Sequence, residues 1–142
     1  MQIAIGSDHA GLRLKRAMKA HMEALGHEVH DVGTFTEDST DYPDHARHVA
    51  ERVISGEADR GVLVCGTGHG MAISANKHRG VRAVCPLDTF SARKTAAHND
   101  ANVLCLGERT TGEGLAADIL DAWLSTSFEG GRHARRVDMI EP

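Results

Sequence analysis

Gly61-Val62-Leu63-Val64-Cys65-Gly66-Thr67-Gly68-His69-Gly70 is the stretch on which the fold turns. Its first half is a continuous apolar run, the composition of a parallel strand buried on both faces; a strand with one wet face would alternate apolar and polar residues. Its second half alternates glycine with other residues and leads into Met71–His78, which reads as helix. A buried strand, a glycine turn and a helix make up half of a βαβ unit.

The same alternation continues on both sides. Upstream, Ile3–Gly6 and Val29–Val32 are predicted strands. Between them a helix spans Leu12–Leu25, with Leu14, Ala17, Met18, His21, Met22 and Leu25 on one face and Gly26 as its stop. A polar loop, Gly33–Asp44, precedes a second helix carried by Ala46, Val49, Ala50, Val53 and Ile54 and ended by Gly56. Downstream, Val81–Cys85 and Asn102–Leu106 are further strands, flanking a helix from about Asp88 to Ala97 with Asp88 or Thr89 as N-cap. Gly112–Leu124 is the last predicted helix, and Ser125 to Pro142 reads as a polar tail. Five strands alternating with helices predict an α/β fold, a Rossmann-like three-layer α/β/α sandwich around a five-stranded parallel sheet.

The chain has 142 residues, of which 41% are hydrophobic and 25% charged, the composition of an ordinary globular chain; residues 1–142 are expected to form one domain. Sixteen Lys and Arg against twenty Asp and Glu leave a net charge of −4, which argues against a nucleic-acid partner. No apolar run approaches the ~20 residues of a membrane-spanning helix, so no membrane partner is expected. The start, Met1-Gln2-Ile3-Ala4-Ile5-Gly6, lacks the pattern of a signal peptide, and a cytoplasmic location is expected. Cys65, Cys85 and Cys105 recur every twenty residues, none in a CxxC pair, and read as three equivalent buried strand positions.

In such sheets ligands bind beyond the carboxyl ends of the strands. Strand one delivers Ser7-Asp8-His9-Ala10-Gly11 and strand three delivers Cys65 to Gly70. His98-Asn99-Asp100 precede strand five and Gly107-Glu108-Arg109 follow it, so all four groups are expected to converge on one rim. The loop Gly66–Gly70 is suited to turning backbone N–H groups inward around an anion or oxyanion. It is neither the dinucleotide fingerprint nor an NTPase phosphate loop. A helix N-terminus that holds an anion also favours a thiolate, so Cys65 is a candidate nucleophile or base. The residues alone leave that role level with a plain strand-end hydrophobe. Ten histidines are many for this length, but His27/His30 and His45/His48 lack a third ligand at metal spacing, and no metal site is expected. His9 and His98 stand out by falling on the expected rim, and His69 by lying inside the glycine loop. Arg132, Arg135 and Arg136 follow Gly130-Gly131 and suit phosphate capture.

Taken together these segments resemble type B ribose-5-phosphate isomerases. The resemblance rests on Asp8-His9-Ala10-Gly11, Thr40-Asp41-Tyr42-Pro43, Cys65-Gly66-Thr67-Gly68-x-Gly70 and Ala75-Asn76-Lys77. It continues through Gly80-Val81-Arg82-Ala83, His98 to Leu104, Gly107-x-Arg109 and Gly130-Gly131-Arg132-His133-x-x-Arg136-Val137, nearly the whole chain in order. The wider family includes galactose-6-phosphate isomerase subunits and isomerases of allose 6-phosphate and tetrulose phosphates. The resemblance implies a homodimer with sites at the subunit interface, with assembly into tetramers left open. It also implies reversible aldose–ketose isomerisation of a phosphorylated sugar through a cis-enediolate, with no cofactor and no metal.

By the same resemblance Cys65 is the base between C2 and C1, Thr67 assists transfer among the oxygens, and the Gly66, Gly68 and Gly70 loop with Asn99 stabilises the enediolate. His98 opens the sugar ring, Asp8 holds sugar hydroxyls, and Tyr42 and His69 face the sugar. His9, Arg109, Arg132 and Arg136 bind the phosphate. In the family's other branch a glutamate just after the glycine loop is the base; here that position is Met71 and Cys65 is present, which resembles the thiol-base branch. An isomerase of a four- or six-carbon sugar phosphate is the nearest alternative. A non-catalytic phosphosugar- or nucleotide-binding module is a further one, disfavoured because a binder needs no Cys65, Thr67 and His98 together. A receiver-like signalling domain is disfavoured because Cys65 stands where its phospho-acceptor Asp would be.

Overall fold

The computed structural model describes residues 1–141; Pro142, the last residue of the expected domain, lies outside the described residues. In chain order the elements are β1 (Gln2–Ser7), α1 (Leu12–Ala24), β2 (Glu28–Asp31), α2 (Tyr42–Ser55), β3 (Arg60–Cys65) and α3 (His69–Ala75). They continue with β4 (Ala83–Val84), α4 (Thr89–Asn99), β5 (Val103–Gly107), α5 (Glu113–Leu124) and α6 (Arg132–Asp138). A short 3-10 turn, His9–Gly11, joins β1 to α1. The five strands form one all-parallel sheet in the order β2-β1-β3-β5-β4. This is the expected α/β three-layer architecture.

Both faces of the sheet are buried, as the apolar runs require. On one face Ile3, Ile5, Val62, Val64, Leu104 and Leu106 pack against α1, α4 and α5, including Met18, Met22, Ala96, Ile119 and Trp123. On the other, Ala4, Leu63, Cys65, Val103 and Cys105 pack against α2 and α3, including Val49, Ala50, Met71 and Ala75. The placement of the helices follows from right-handed crossovers. Moves in one direction along the sheet (β1 to β2, β4 to β5) put α1 and α4 on the first face. Moves in the other (β2 to β3, β3 to β4) put α2 and α3 on the second.

Four expectations are corrected. The predicted strand Val81–Cys85 shrinks to Ala83–Val84, because Arg82 pairs with the Asn102 side chain instead (N–H to Oδ1, 2.7 Å) and Pro86 offers no N–H to extend the edge. The cysteines are not equivalent: Cys65 ends β3 opposite Gly107, Cys105 lies within β5 opposite Leu63, and Cys85 falls beyond β4. The expected polar tail contains α6, entered through Gly130 and Gly131, both at positive φ. On α1, Leu25 is half exposed and the buried stripe instead takes in Lys15. Asp88 is the N-cap of α4; the N–H and hydroxyl of Ser91 hold its carboxyl below the usual range.

Gly11 sits where α1 crosses the end of β3: a Cβ there would lie 2.6 Å from both the carbonyl carbon and oxygen of Val64. Backbone cannot swing aside as a side chain can. Gly11→Ala is therefore expected to lower stability by about 1–3 kcal/mol in urea unfolding; an unchanged midpoint would show that α1 is free to lift from β3.

Candidate active site

β1 and β3 are neighbours, yet the chain leaves them in opposite directions, to β2 from one and to β4 from the other. Their carboxyl ends therefore open a crevice, the switch point at which parallel sheets bind ligands. Into it project the ends of β1, β3 and β5, and this part of the expected rim is assembled as foreseen. Asp8, buried, accepts the Ala10 N–H at 3.0 Å and caps the 3-10 turn, while its own N–H reaches the Val64 carbonyl.

Cys65 is 5% exposed, and its Sγ accepts the Gly68 N–H at 3.1 Å, so the loop after β3 folds back over the thiol. Gly68 has φ +82°, and a Cβ there would lie 2.6 Å from the Cys85 sulfur. No other residue fits. α3 starts at His69, so the N–H groups of its first turn face the crevice without partners in the helix. Thr67, on the loop, and His69, the first residue of α3, are exposed. Burial pushes the Cys85 thiol up and the fully buried Cys105 thiol well up, which keeps both protonated at neutral pH.

Tyr42 opens α2, and its ring comes within 3.0 Å of where a Gly70 Cβ would stand, so it roofs the glycine loop. The Arg109 guanidinium lies 3.6 Å from the corresponding point on Gly66, and the backbone N–H of Arg109 donates to the Gly66 carbonyl at 2.9 Å. His9 accepts the Thr40 N–H on Nδ1 at 3.2 Å. With Nδ1 so occupied, a neutral His9 ring carries its proton on Nε2.

His98 and Asn99 do not join this rim within the chain. They end α4, which starts beyond the carboxyl end of β4 and runs antiparallel to the strands for 11 residues, about 16 Å. That length returns the chain to the opposite edge: Arg82 donates from Nε to the Asp100 carbonyl at 2.8 Å, and Gly61 donates to the Asn102 carbonyl at 2.8 Å, both at strand starts. α6 packs on α4 there and brings Arg132 and Arg136, both exposed. His98, Asn99, His133 and Arg136 line a cavity of about 360 Å³. The expected convergence of His98 and Asn99 with Cys65 on one rim is thus corrected; the candidate residues form two groups at opposite sheet edges.

The structure adds residues that sequence reading missed. Lys15 is fully buried, its Nζ 2.6 Å from both Asp31 Oδ1 and the Thr34 carbonyl and 4.8 Å from the Phe35 ring. Burial lowers its pKa, against the raising effect of Asp31. This clamp anchors the start of the loop that carries Thr40 to His9. His45 Nε2 lies 3.0 Å from Thr40 Oγ1, and its Nδ1 is buried with no partner. The signal for Lys15 was its position three before Met18 and seven before Met22, in the buried stripe. His45 carried none, since its partner lies in an irregular loop.

The model of the Ribose/Galactose Isomerase family matches residues 3–140. The chain belongs to that family. It is 49% identical to ribose-5-phosphate isomerase B of Escherichia coli over 98% of this chain and 93% of that protein. It is 44% identical to D-erythrulose-4-phosphate isomerase 2 of Mycolicibacterium smegmatis, over 91% of this chain and 87% of that one. Among solved structures, ribose-5-phosphate isomerase B of Clostridium thermocellum superposes with a TM-score of 0.97 at 52% identity, covering 99% of this chain and 95% of its own. Family membership agrees with the switch-point crevice. No helix among the described residues is long and apolar enough to cross a membrane.

Burial, and next the charge of His48, lower the His45 pKa below its ordinary 6.5. A group depressed in the folded state is protonated first in the unfolded chain, so the stability it contributes is present above pH ~6.5 and is lost as pH falls below it. The wild type should lose more stability between pH 7.5 and pH 5 than His45→Gln, measured by urea unfolding at each pH. Parallel losses would place the proton uptake elsewhere.

Proposed function

We propose that this family member interconverts ribose 5-phosphate and ribulose 5-phosphate through a cis-enediolate. That it is a sugar-phosphate isomerase follows from its family; the pentose substrate and the residue roles are our reading. The observation that carries the roles is the buried Cys65 thiol under the Gly68 N–H, at the switch point and beside an exposed Thr67. Isomerisation needs a base that takes the C2 proton and returns it to C1 on the same face of the sugar. Cys65 is the titratable group placed for that shuttle, since Met71 beyond the loop is apolar and buried. As the carbonyl oxygen gains charge, N–H donors of the Gly66–Gly70 loop meet it, and a preorganised donor of this kind is worth about 3–4 kcal/mol to a transition state. Thr67 passes protons between the sugar oxygens, Asp8 holds the hydroxyls, and Tyr42 and His69 flank the sugar.

Ring opening requires an acid/base, assigned to His98, with Asn99 beside it. Because α4 carries both to the far edge of their own sheet, the reading requires a second copy of the chain to supply them. His9 and Arg109 then bind the phosphate from the Cys65 side, and Arg132 and Arg136 from the His98 side, the forked guanidinium matching phosphate oxygens. The working unit is accordingly a homodimer with composite sites.

Similarity to D-erythrulose-4-phosphate isomerase 2 favours one second reading, a four-carbon sugar phosphate with the same chemistry. Proton NMR in D₂O decides between them: loss of the ribose 5-phosphate C2 proton with growth of ribulose 5-phosphate supports the pentose reading. Exchange only with erythrulose 4-phosphate would replace it.

Cys65→Ala is expected to lower kcat at least a thousandfold with KM or inhibitor affinity within threefold, because the thiol acts on the proton rather than on binding. Turnover within tenfold of wild type would remove Cys65 as the base.

The composite site has its own test. Cys65→Ala and His98→Asn are each expected to be nearly inactive, and refolding them together should restore about a quarter of wild-type activity. Half of the dimers are then hybrids, each with one intact site out of two. No recovery from well-formed hybrids would place both residues in a site within one chain.

A further inference from the structure

We propose that Thr40 is a further ligand of the substrate phosphate, with its hydroxyl aimed by His45, a positioning residue on α2. This deepens the proposed function and rests on its reading that the phosphate lies at the His9 end of the crevice. Thr40 ends the loop between β2 and α2, and that loop is pinned at both ends. At its start Lys15 holds the Thr34 carbonyl at 2.6 Å, and the Thr34 N–H donates to the Ser7 carbonyl at 2.7 Å. Residues 35–39 between the pins are exposed. At its end the Thr40 N–H donates to His9 Nδ1 at 3.2 Å, and Thr40 Oγ1 lies 3.0 Å from His45 Nε2. A threonine on an exposed loop ordinarily turns its hydroxyl freely in water; this half-buried one is held at two points.

The other nitrogen of His45 fixes the direction of the second bond. Nδ1 is buried and has no partner among the described residues. Burial, the charge of His48 and more weakly that of Lys15 lower the His45 pKa, against Asp8 and Asp44, so the ring is neutral at pH 7 and carries one proton. On Nδ1 that proton would be a buried N–H without an acceptor, an arrangement proteins rarely tolerate. On Nε2 it is donated to Thr40 Oγ1. The hydroxyl hydrogen of Thr40 then has no acceptor among the described residues and is free for a ligand.

Thr40 thus presents a fixed O–H beside the His9 ring, whose Nε2–H is also free. Two neutral donors side by side suit an anion with several acceptor oxygens, and phosphate is one. Leaving Nδ1 unpaired lowers stability, a loss that an apolar side chain at position 45 would avoid. What the imidazole adds is the aim of the Thr40 hydroxyl.

Inorganic phosphate titrated into the full-length protein and followed by phosphorus NMR reads the anion site without turnover. Thr40→Val is isosteric and keeps the backbone N–H to His9, so its expected loss of phosphate affinity, about tenfold, belongs to the hydroxyl. Thr40→Ser keeps the hydroxyl and should return affinity to within about threefold of wild type. His45→Leu should reproduce the loss, and His45→Gln, which retains an N–H donor, should recover most of it. In Thr40→Val/His45→Leu the second change should add nothing, because His45 acts only through the hydroxyl. With a sugar phosphate the losses should fall on KM rather than kcat.

Unchanged phosphate affinity in Thr40→Val overturns the proposal. So does a loss confined to the sugar phosphate, which would give Thr40 to a sugar hydroxyl. Additive losses in the double variant overturn His45 as the positioning residue. His9→Gln separates the proposal from the role of His9: a loss in Thr40→Val alone removes His9 from the phosphate and keeps Thr40, a loss in His9→Gln alone removes Thr40, and no loss in either removes both. Should His45→Leu not fold, the wild-type imidazole nitrogen resonances decide, with the His45 proton on Nε2 if it aims Thr40 and on Nδ1 if it does not.

Discussion

The handedness of the crossovers is the constraint on which the remaining features depend. A right-twisted strand followed by a right-handed helix packs back on the sheet in one sense only, so each change in direction along the sheet changes the face that the next helix covers. Here the direction changes between β1 and β3. Their carboxyl ends are left uncovered side by side, and Asp8 and Cys65 come together there although 57 residues separate them in sequence. The glycine loop closes over the thiol because Gly68 admits both a left-handed backbone and the Cys85 sulfur beside it.

The same geometry divides the candidate machinery. A helix of 11 residues is about as long as a five-residue strand, so α4 carries whatever it ends with across the full height of the sheet. His98 and Asn99 therefore lie at the edge opposite Cys65, joined there by the arginines of α6. A site built from both groups belongs to a pair of chains. Concentrating these groups on the second edge stacks the His98 and His133 rings in parallel, with centroids 4.1 Å apart.

Around the crevice, order is imposed by charges buried in the interior. Lys15 spends its ammonium on Asp31 and on a backbone carbonyl of the loop after β2, and Phe35 covers it. An ion pair so enclosed adds little net stability, since desolvation opposes it, but it holds the loop in one place. Thr40 is thereby presented to His9 and His45.

Much of this was legible in the residues. The run Gly61–Cys65 is apolar at every position because both faces of its strand are covered, and glycines mark the places where loop and helix meet the sheet. These are local consequences of burial and backbone sterics, which act over a few residues and so leave a pattern in the chain. The shortening of β4, the presence of α6, the buried Lys15 and the unpartnered nitrogen of His45 depend on residues distant in sequence. Which edge of the sheet a residue reaches is a matter of helix length and crossover direction in three dimensions. The chain by itself determined the layers and the chemistry carried at the strand ends; the tertiary structure alone decided that His98 stands apart from Cys65, because a helix crossing the sheet must finish on its other side.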